Sequence, residues 1–295
     1  MRSSGSSNVY LIGTGIHRSL SPSIHNTLFR RLKIDANYSL VDVEEAGFDA
    51  AILEMTQSGN VQGFNITAPF KERTMSYLSE IEKAALAVGA VNTVRIDKRH
   101  IISGYNTDVS GVRVTVSELG LLGRSRRRKK DSAGMIATIL GAGGAARACA
   151  FVLLNNGFDS IAIANRSIER AQKLAHHFNN QFPHAKIKVI GLTEKEVSKE
   201  VAASDLLINA ISDSVEGTCP ISVDFSKASD KLRFFDLGYK RQSEMLRDAT
   251  KAGVKSLDGL TMLSEQARRS FEIWTGVSPS YELVRSIAKR SLRYV

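Results

Sequence analysis

Short apolar runs, each closed by glycine, proline or polar residues, alternate along the chain with segments whose apolar positions recur at helical spacing. Val9–Ile12 predicts a strand, and Ser21-Pro22 opens a helix reaching about Leu32, with proline at its favoured first position. Tyr38–Val43 predicts a strand, Glu44–Gln57 a helix and Val61–Ile66 another strand, after which Pro69 begins a further helix. Val91–Asp97 and His100–Tyr105 read as a hairpin pair, and Asp108 caps a helix running toward Leu121. Alternation of this kind predicts an α/β domain with a mixed sheet. A second series follows, with strands at Met135–Leu140, Ser160–Ala164, Lys186–Ile190, Leu206–Asn209 and Leu232–Leu237. The segment Leu260–Val295 holds two helices parted near Gly276 and Pro279, expected to pack back on the first domain. The expected organisation is a first α/β domain at 1–108, a connecting helix and linker at 109–132, a second α/β domain at 133–258, and returning helices at 259–295.

The junction after Leu140 changes the picture. Gly141-Ala142-Gly143-Gly144-Ala145 lies between an apolar strand and an apolar helix candidate beginning near Cys149. Strand, glycine-rich turn and helix in that order form a dinucleotide site: glycines allow the tight turn and the close approach of a pyrophosphate, and the free N–H groups of the helix start face the anion. The next strand ends at Asn165-Arg166-Ser167, with Arg170 one helical turn onward. Folds of this type place an acidic residue there to read the ribose 2′-hydroxyl of NAD. Two guanidinium groups and a hydroxyl suit a 2′-phosphate instead, because arginine offers paired N–H donors to phosphate oxygens. The expected cofactor is NADP.

Composition excludes several classes. The chain of 295 residues is 43% hydrophobic and 24% charged, ordinary for a globular protein with two domains. No apolar stretch approaches the ~18 residues of a membrane span, and the segment MRSSGSSN has no apolar signal core. Cys149 and Cys219, the two cysteines, fit neither a disulfide framework nor a metal cluster. A cytoplasmic protein without metal is expected, with Cys149 a small buried residue. The net charge of +10 invites a nucleic-acid reading, but Arg124, Arg126, Arg127, Arg128, Lys129 and Lys130 lie in one short run. Like charges so crowded stay solvated, and few aromatics interleave with them to stack bases. An exposed linker is expected there, with no nucleic-acid and no membrane partner.

The remaining chemistry sits in the first domain. Ser19 and Ser21, spaced i, i+2, can reach one carboxylate, and a helix start favours that charge. Ser21 also fits as the N-cap, a role that leaves Ser19 unexplained. His25 is expected to be packed. Lys71 falls in the first turn of the helix expected from Pro69, where the helix dipole disfavours a cation; that misfit points to a functional lysine, against the plain alternative of a solvated one. Asp108 reads equally as a helix cap, and Asn92 as an ordinary turn residue.

Taken in order, SLSPSIHN, GFNITAPFKE, GAVNTV, GYNTDVSG, GAGGAARA, NRSIERA and DGLTMLSEQARRSFEIWTG resemble the motif series of shikimate dehydrogenases, over nearly the whole chain. The resemblance implies a two-domain α/β fold, an N-terminal substrate domain plus a Rossmann NADP-binding domain, and the reversible NADPH-dependent reduction of 3-dehydroshikimate to shikimate. It implies that Ser19 and Ser21 hold the substrate carboxylate, that Thr67, Asn92, Asp108 and Gln266 bind ring oxygens, and that Tyr239 also belongs to the substrate site. Lys71 and Asp108 become the catalytic pair. Gly141, Ala142, Gly143, Gly144, Ala145, Asn165, Arg166, Ser167, Arg170 and Gly259 become the cofactor site. The partner it implies is the small-molecule substrate, with a monomer or a homodimer as the assembly. Departures stand at Ile211-Ser212-Asp213-Ser214-Val215, where the family commonly reads T-P-x-G-M, at Tyr239-Lys240-Arg241 against Tyr-x-Pro, and at Arg18, where a histidine is common. Quinate or aminoshikimate dehydrogenase and a catalytically weak NADP-binding regulator are the alternatives. Glutamyl-tRNA reductase requires a nucleophilic cysteine in the first domain, and no cysteine precedes Cys149.

Overall fold

A computed structural model describes residues 7–122, 134–211, 221–240 and 242–294. The basic run at 124–130, Cys219, Arg241 and the stretch 212–215 lie outside the described residues. The described chain divides into two units, residues 1–111 with 263–295, and residues 112–262.

The first unit opens with β1 (Ser7–Gly13), α1 (Ser21–Arg31) and β2 (Ala36–Asp42), then α2 (Phe48–Gln57) and β3 (Val61–Ile66). It continues with β4 (Glu80–Ile81), α3 (Lys83–Val88), β5 (Thr93–Ile96) and β6 (Ile102–Tyr105), and α4 (Asp108–Glu118) begins in it and runs on as the first element of the second unit. Six strands form one sheet in the order β2-β1-β3-β5-β6-β4. β1 runs parallel to both β2 and β3, whereas β5 is antiparallel to β3 and to β6, so the sheet is mixed as expected. One face packs on Phe48, Ile52, Phe64, Ile66, Phe70 and Val91, all buried.

Two expectations for this unit fail. No α-helix begins at Pro69. The Ala68–Pro69 bond is cis, residues 67–72 form a turn, and only a 3-10 helix follows, at Arg73–Tyr77. The segment is pinned by tertiary contacts: the Phe70 ring stacks on Phe48 at 4.1 Å, and the Lys71 carbonyl accepts the N–H of Val91 at 2.8 Å. The dipole argument for Lys71 therefore lapses. Nor does Ser21 cap α1. The cap residue is Leu20, Ser21 is already helical, and it is the Ser19 hydroxyl that accepts the Ser21 N–H, at 3.2 Å. The helix expected from Glu44 begins at Phe48, after a 3-10 turn at Glu45–Gly47.

The second unit holds β7 (Met135–Leu140), α5 (Gly144–Asn155), β8 (Phe158–Asn165), α6 (Ile168–Gln181), β9 (Lys186–Gly191), α7 (Glu194–Val201), β10 (Leu206–Asn209), β11 (Arg233–Asp236), α8 (Glu244–Lys251) and β12 (Lys255–Leu257). The order β12-β11-β10-β7-β8-β9, parallel throughout, is the doubly wound Rossmann arrangement. Its central strands β7, β10 and β11 are nearly continuous buried runs, as expected where helices cover both faces, while the edge strands β9 and β12 carry exposed lysines.

Helix α9 (Leu260–Thr275) and α10 (Tyr281–Ser291) close the chain, and residues from 263 onward return to the first unit. Trp274 donates its indole N–H to the Val94 carbonyl at 2.9 Å, Phe271 lies against Phe29, and the Ser23 and Ser291 hydroxyls meet at 2.7 Å. His25 is enclosed here, stacked on Tyr38 at 4.6 Å and edge-on to Trp274. Neither ring nitrogen has a partner among the described residues. Burial pushes its pKa down from 6.5 to about 3.

That burial makes a pH-dependent stability. Between pH 6.5 and about 3 the unfolded chain binds a proton that the folded chain refuses, so stability is complete above 6.5 and falls as pH drops. At ~1.4 kcal/mol per unit, lowering the pH from 7 to 5 should cost about 2 kcal/mol through this residue. Urea unfolding of the wild type and of His25→Phe at both pH values isolates the contribution. An equal pH 7-to-5 difference in the two proteins would refute it.

Candidate active site

The topology gathers the first unit's polar residues at one end of its sheet. β1 and β3 are parallel neighbours, so the loops after Gly13 and after Ile66 leave from the same end. Two reversals, through β5 and β6, bring the end of β6 and the start of β5 there too. The four segments carry Ser19 and Ser21, Thr67 and Lys71, Asn92, and Thr107 with Asp108. The first two loops touch: Thr14 donates its N–H to the Ala68 carbonyl at 3.3 Å. Asp42 fixes the first loop by accepting the N–H groups of Gly15 at 2.9 Å and Ile16 at 3.1 Å.

Lys71 Nζ lies 2.6 Å from Asp108 Oδ2, with side chains only 14% and 7% exposed. The other carboxylate oxygen accepts from Asn92 Nδ2 at 2.8 Å. Asp108 is the first residue of α4, but its carboxylate turns to Lys71 and Asn92. Asn92 is oriented without ambiguity. The backbone N–H of Thr107 can only donate, and it reaches Asn92 Oδ1 at 2.8 Å, so the amide nitrogen must face Asp108. The result is a half-buried ammonium with one fixed partner and donor capacity left over.

Beneath this pair lies a buried polar cluster. Asn65 Nδ2 shares its two protons among the Asn92 carbonyl, Thr93 Oγ1 and Ser270 Oγ, at 3.0, 2.9 and 3.2 Å, and Tyr38 donates its hydroxyl to Asn65 Oδ1 at 2.8 Å. Sequence reasoning does not single out Asn65, Thr107 or Ser270. The available signal is polarity at apolar positions: Asn65 stands between Phe64 and Ile66 on a buried strand, and Ser270 shares the inward stripe of Ala267, Phe271 and Trp274. Gln266, half-buried, is one turn before Ser270 on α9 and donates to the Leu263 carbonyl at 3.2 Å.

In the second unit the turn after β7 has the form expected. Gly141 has φ +103°, a conformation only glycine adopts freely, and its N–H bonds to the Ala164 carbonyl at 2.7 Å. Gly143 caps α5 with no side-chain bond, no acidic residue stands in the first turn, and the space beside its Cα is open. These residues fit a pyrophosphate. Asn165 donates to the Ser167 carbonyl at 2.8 Å, which shapes the corner after β8. Ser167 caps α6 by accepting the Arg170 N–H and gives its own proton to Glu169 at 2.8 Å. Arg166 and Arg170 are exposed and have no ion pair among the described residues, so two guanidinium groups remain for a phosphate. Tyr239 follows β11 and is half-buried in this unit.

Gly259 has a steric reason for being glycine. A Cβ there would stand 2.0 Å from the Leu237 carbonyl oxygen, against backbone that cannot swing aside. Gly259→Ala should lower stability by about 1–3 kcal/mol, the range for forced overpacking. A denaturant midpoint unchanged from wild type would contradict the contact.

Residues 11–94 match the shikimate dehydrogenase substrate-binding domain, residues 124–262 the shikimate/quinate 5-dehydrogenase model, and residues 259–289 the shikimate 5′-dehydrogenase C-terminal domain. A shikimate dehydrogenase (NADP(+)) of Caldanaerobacter subterraneus subsp. tengcongensis is 37% identical over 270 residues, 90% of each chain. The chain belongs to the shikimate dehydrogenase family. Among solved structures, the shikimate 5-dehydrogenase of Thermus thermophilus, in complex with NADP(H) and shikimate, is similar at TM-score 0.78 and 27% identity, covering 97% of this chain and 99% of that one. A quinate dehydrogenase of Corynebacterium glutamicum, in complex with NAD, is similar at TM-score 0.79 and 27% identity, over 97% and 99% of the two chains. The two-sheet architecture of the family is thus present here in full, with its mixed and its doubly wound sheet. Among the described residues no helix is long and apolar enough to cross a membrane, and no group of three or more His, Cys, Asp or Glu could hold a metal ion.

Proposed function

We propose that this member of the family interconverts 3-dehydroshikimate and shikimate, using NADPH and NADP+, with Lys71 and Asp108 as the catalytic pair. The observation that carries the reading is the 2.6 Å contact between Lys71 Nζ and Asp108 Oδ2, at the sheet end where the serine, threonine and asparagine loops converge. Reduction of a ketone builds negative charge on its oxygen. The Lys71 ammonium meets that charge and supplies the proton to oxygen; in the reverse direction it receives the proton from the hydroxyl. Asp108 keeps Nζ in place, and Asn92 keeps Asp108 in place. Ser19 and Ser21, beside the N-terminus of α1, are assigned to the substrate carboxylate, Thr67, Asn92, Asp108 and Gln266 to the ring oxygens, and Tyr239 to substrate binding. NADPH, when bound, supplies the hydride. Gly141, Ala142, Gly143, Gly144 and Ala145 would hold its pyrophosphate, with Gly259 shaping the same unit. Asn165, Arg166, Ser167 and Arg170 would hold the 2′-phosphate end.

The division of labour follows: residues 1–108 for substrate, 109–132 as connection, 133–258 for NADP, and 259–295 completing the substrate unit. A cytoplasmic setting and a monomeric or homodimeric state are part of the proposal; fractionation and light scattering test them. The test of function is NADPH formation by the purified protein with NADP+ and either shikimate or quinate. Turnover preferring shikimate is expected. Absence of turnover with shikimate, or a clear preference for quinate, would overturn the reading.

A further inference from the structure

We infer that Ser270, on helix α9, is a positioning residue for the reaction, acting through Asn92 on Asp108. Its side chain is fully buried. Its hydroxyl lies 2.9 Å from Thr93 Oγ1 and 3.2 Å from Thr107 Oγ1, and it accepts from Asn65 Nδ2 at 3.2 Å. Thr93 and Thr107 both place their hydroxyls within reach of Asn92 Oδ1, at 3.0 and 3.1 Å. Asn92 in turn donates to Asp108 Oδ1 at 2.8 Å, and Asp108 holds Lys71.

Donor counting gives Ser270 its role. Asn92 Oδ1 has two lone pairs, and the Thr107 N–H occupies one of them at 2.8 Å. The second takes a proton from Thr93 or from Thr107. Each threonine has only one proton, and the two hydroxyls also face one another at 3.2 Å. Ser270 is the third hydroxyl of this cluster, touching both threonines. It supplies one further proton and one further acceptor, which lets one threonine point its proton at Asn92 while the other stays satisfied. Without it, the two threonines lose a shared partner in a site closed to bulk water, and their two protons compete for the one remaining lone pair of Asn92 Oδ1 or for each other's oxygen. Asn92 then holds Asp108 less firmly, and Lys71 Nζ loses its fixed address.

The inference rests on the assignment of Lys71 and Asp108 as the catalytic pair, and the experiment separates the two. Wild type, Ser270→Ala, Asn92→Ala, the double variant of these two and Lys71→Ala are compared in steady-state NADPH formation with shikimate. Ser291→Ala, a buried hydroxyl on α10 bonded to Ser23, serves as a control for stability loss alone. Ser270→Ala is expected to lower kcat/KM for shikimate about tenfold, within the range of coupling in a shared hydrogen-bond network. The KM for NADP+ should stay at its wild-type value. In the Asn92→Ala background the same change should have almost no further effect. Wild-type kcat/KM in Ser270→Ala, a loss equal to that of Ser291→Ala, or full additivity with Asn92→Ala would each overturn the positioning role. If Lys71→Ala leaves turnover intact, the failure lies with the catalytic-pair assignment; if Lys71→Ala abolishes turnover while Asn92→Ala leaves it intact, the positioning chain is overturned.

Discussion

Lys71→Ala should lower turnover with shikimate by on the order of 100-fold or more, while the KM for shikimate changes far less. The reason is timing. The ammonium meets its full partner charge only as the substrate oxygen becomes an alkoxide, so the interaction is stronger in the transition state than in the bound ketone or alcohol. The ground state loses a single hydrogen bond among many. The substitution also leaves Asp108, only 7% exposed, with Asn92 but without its cation, and a buried carboxylate lacking its countercharge costs stability. Circular dichroism and a denaturant midpoint must therefore accompany the kinetics, and Lys71→Gln, which retains a donor, guards against a merely structural loss. Turnover at the wild-type level in either folded variant would remove Lys71 from the mechanism.

Arg166→Ala combined with Arg170→Ala should weaken NADP+ by on the order of 100-fold or more and leave NAD+ nearly untouched. A charge-assisted contact to phosphate is worth ~1.5–3 kcal/mol, and the two arginines are the cations at this corner. Ser167 contributes less than its position suggests, since its proton is committed to Glu169 and its lone pair to the Arg170 N–H. Titration of both cofactors against the double variant decides the matter. Equal losses for NADP+ and NAD+ would mean that the arginines do not read the 2′-phosphate.

The two halves of the molecule are legible to different degrees. The doubly wound sheet shows plainly in the sequence because its central strands are buried on both faces and its turn needs glycine at Gly141, a demand local enough to leave a mark. Short edge elements leave none: β4 has two residues and β12 three, too few to show a period. The segment after Ile66 misleads because Pro69-Phe70-Lys71 has the look of a helix start. Its conformation is set from a distance, by Phe48 under Phe70 and by Val91 on the Lys71 carbonyl, and no window of neighbouring residues contains those partners. The same holds for the catalytic pair. Lys71 and Asp108 are 37 positions apart, and nothing near either one names the other. Ser19 and Ser21 both stand out in the sequence, but their local roles are exchanged, because a hydroxyl two residues before a backbone N–H closes that turn as well as a cap would.

The first unit is discontinuous, and this constrains how the chain can be made. Its sheet and α1 are synthesised first, yet the aromatic face formed by His25, Phe29 and Tyr38 is covered by Phe271 and Trp274, which emerge from the ribosome only after the entire second unit. A nascent chain ending before residue 263 therefore exposes a sticky apolar surface, and the serine–threonine cluster lacks its Ser270. Trp274 is the sole tryptophan of the protein, and its indole docks on the Val94 carbonyl. Its fluorescence is thus a built-in clock for the last step of assembly, the moment at which the oldest part of the chain receives its youngest.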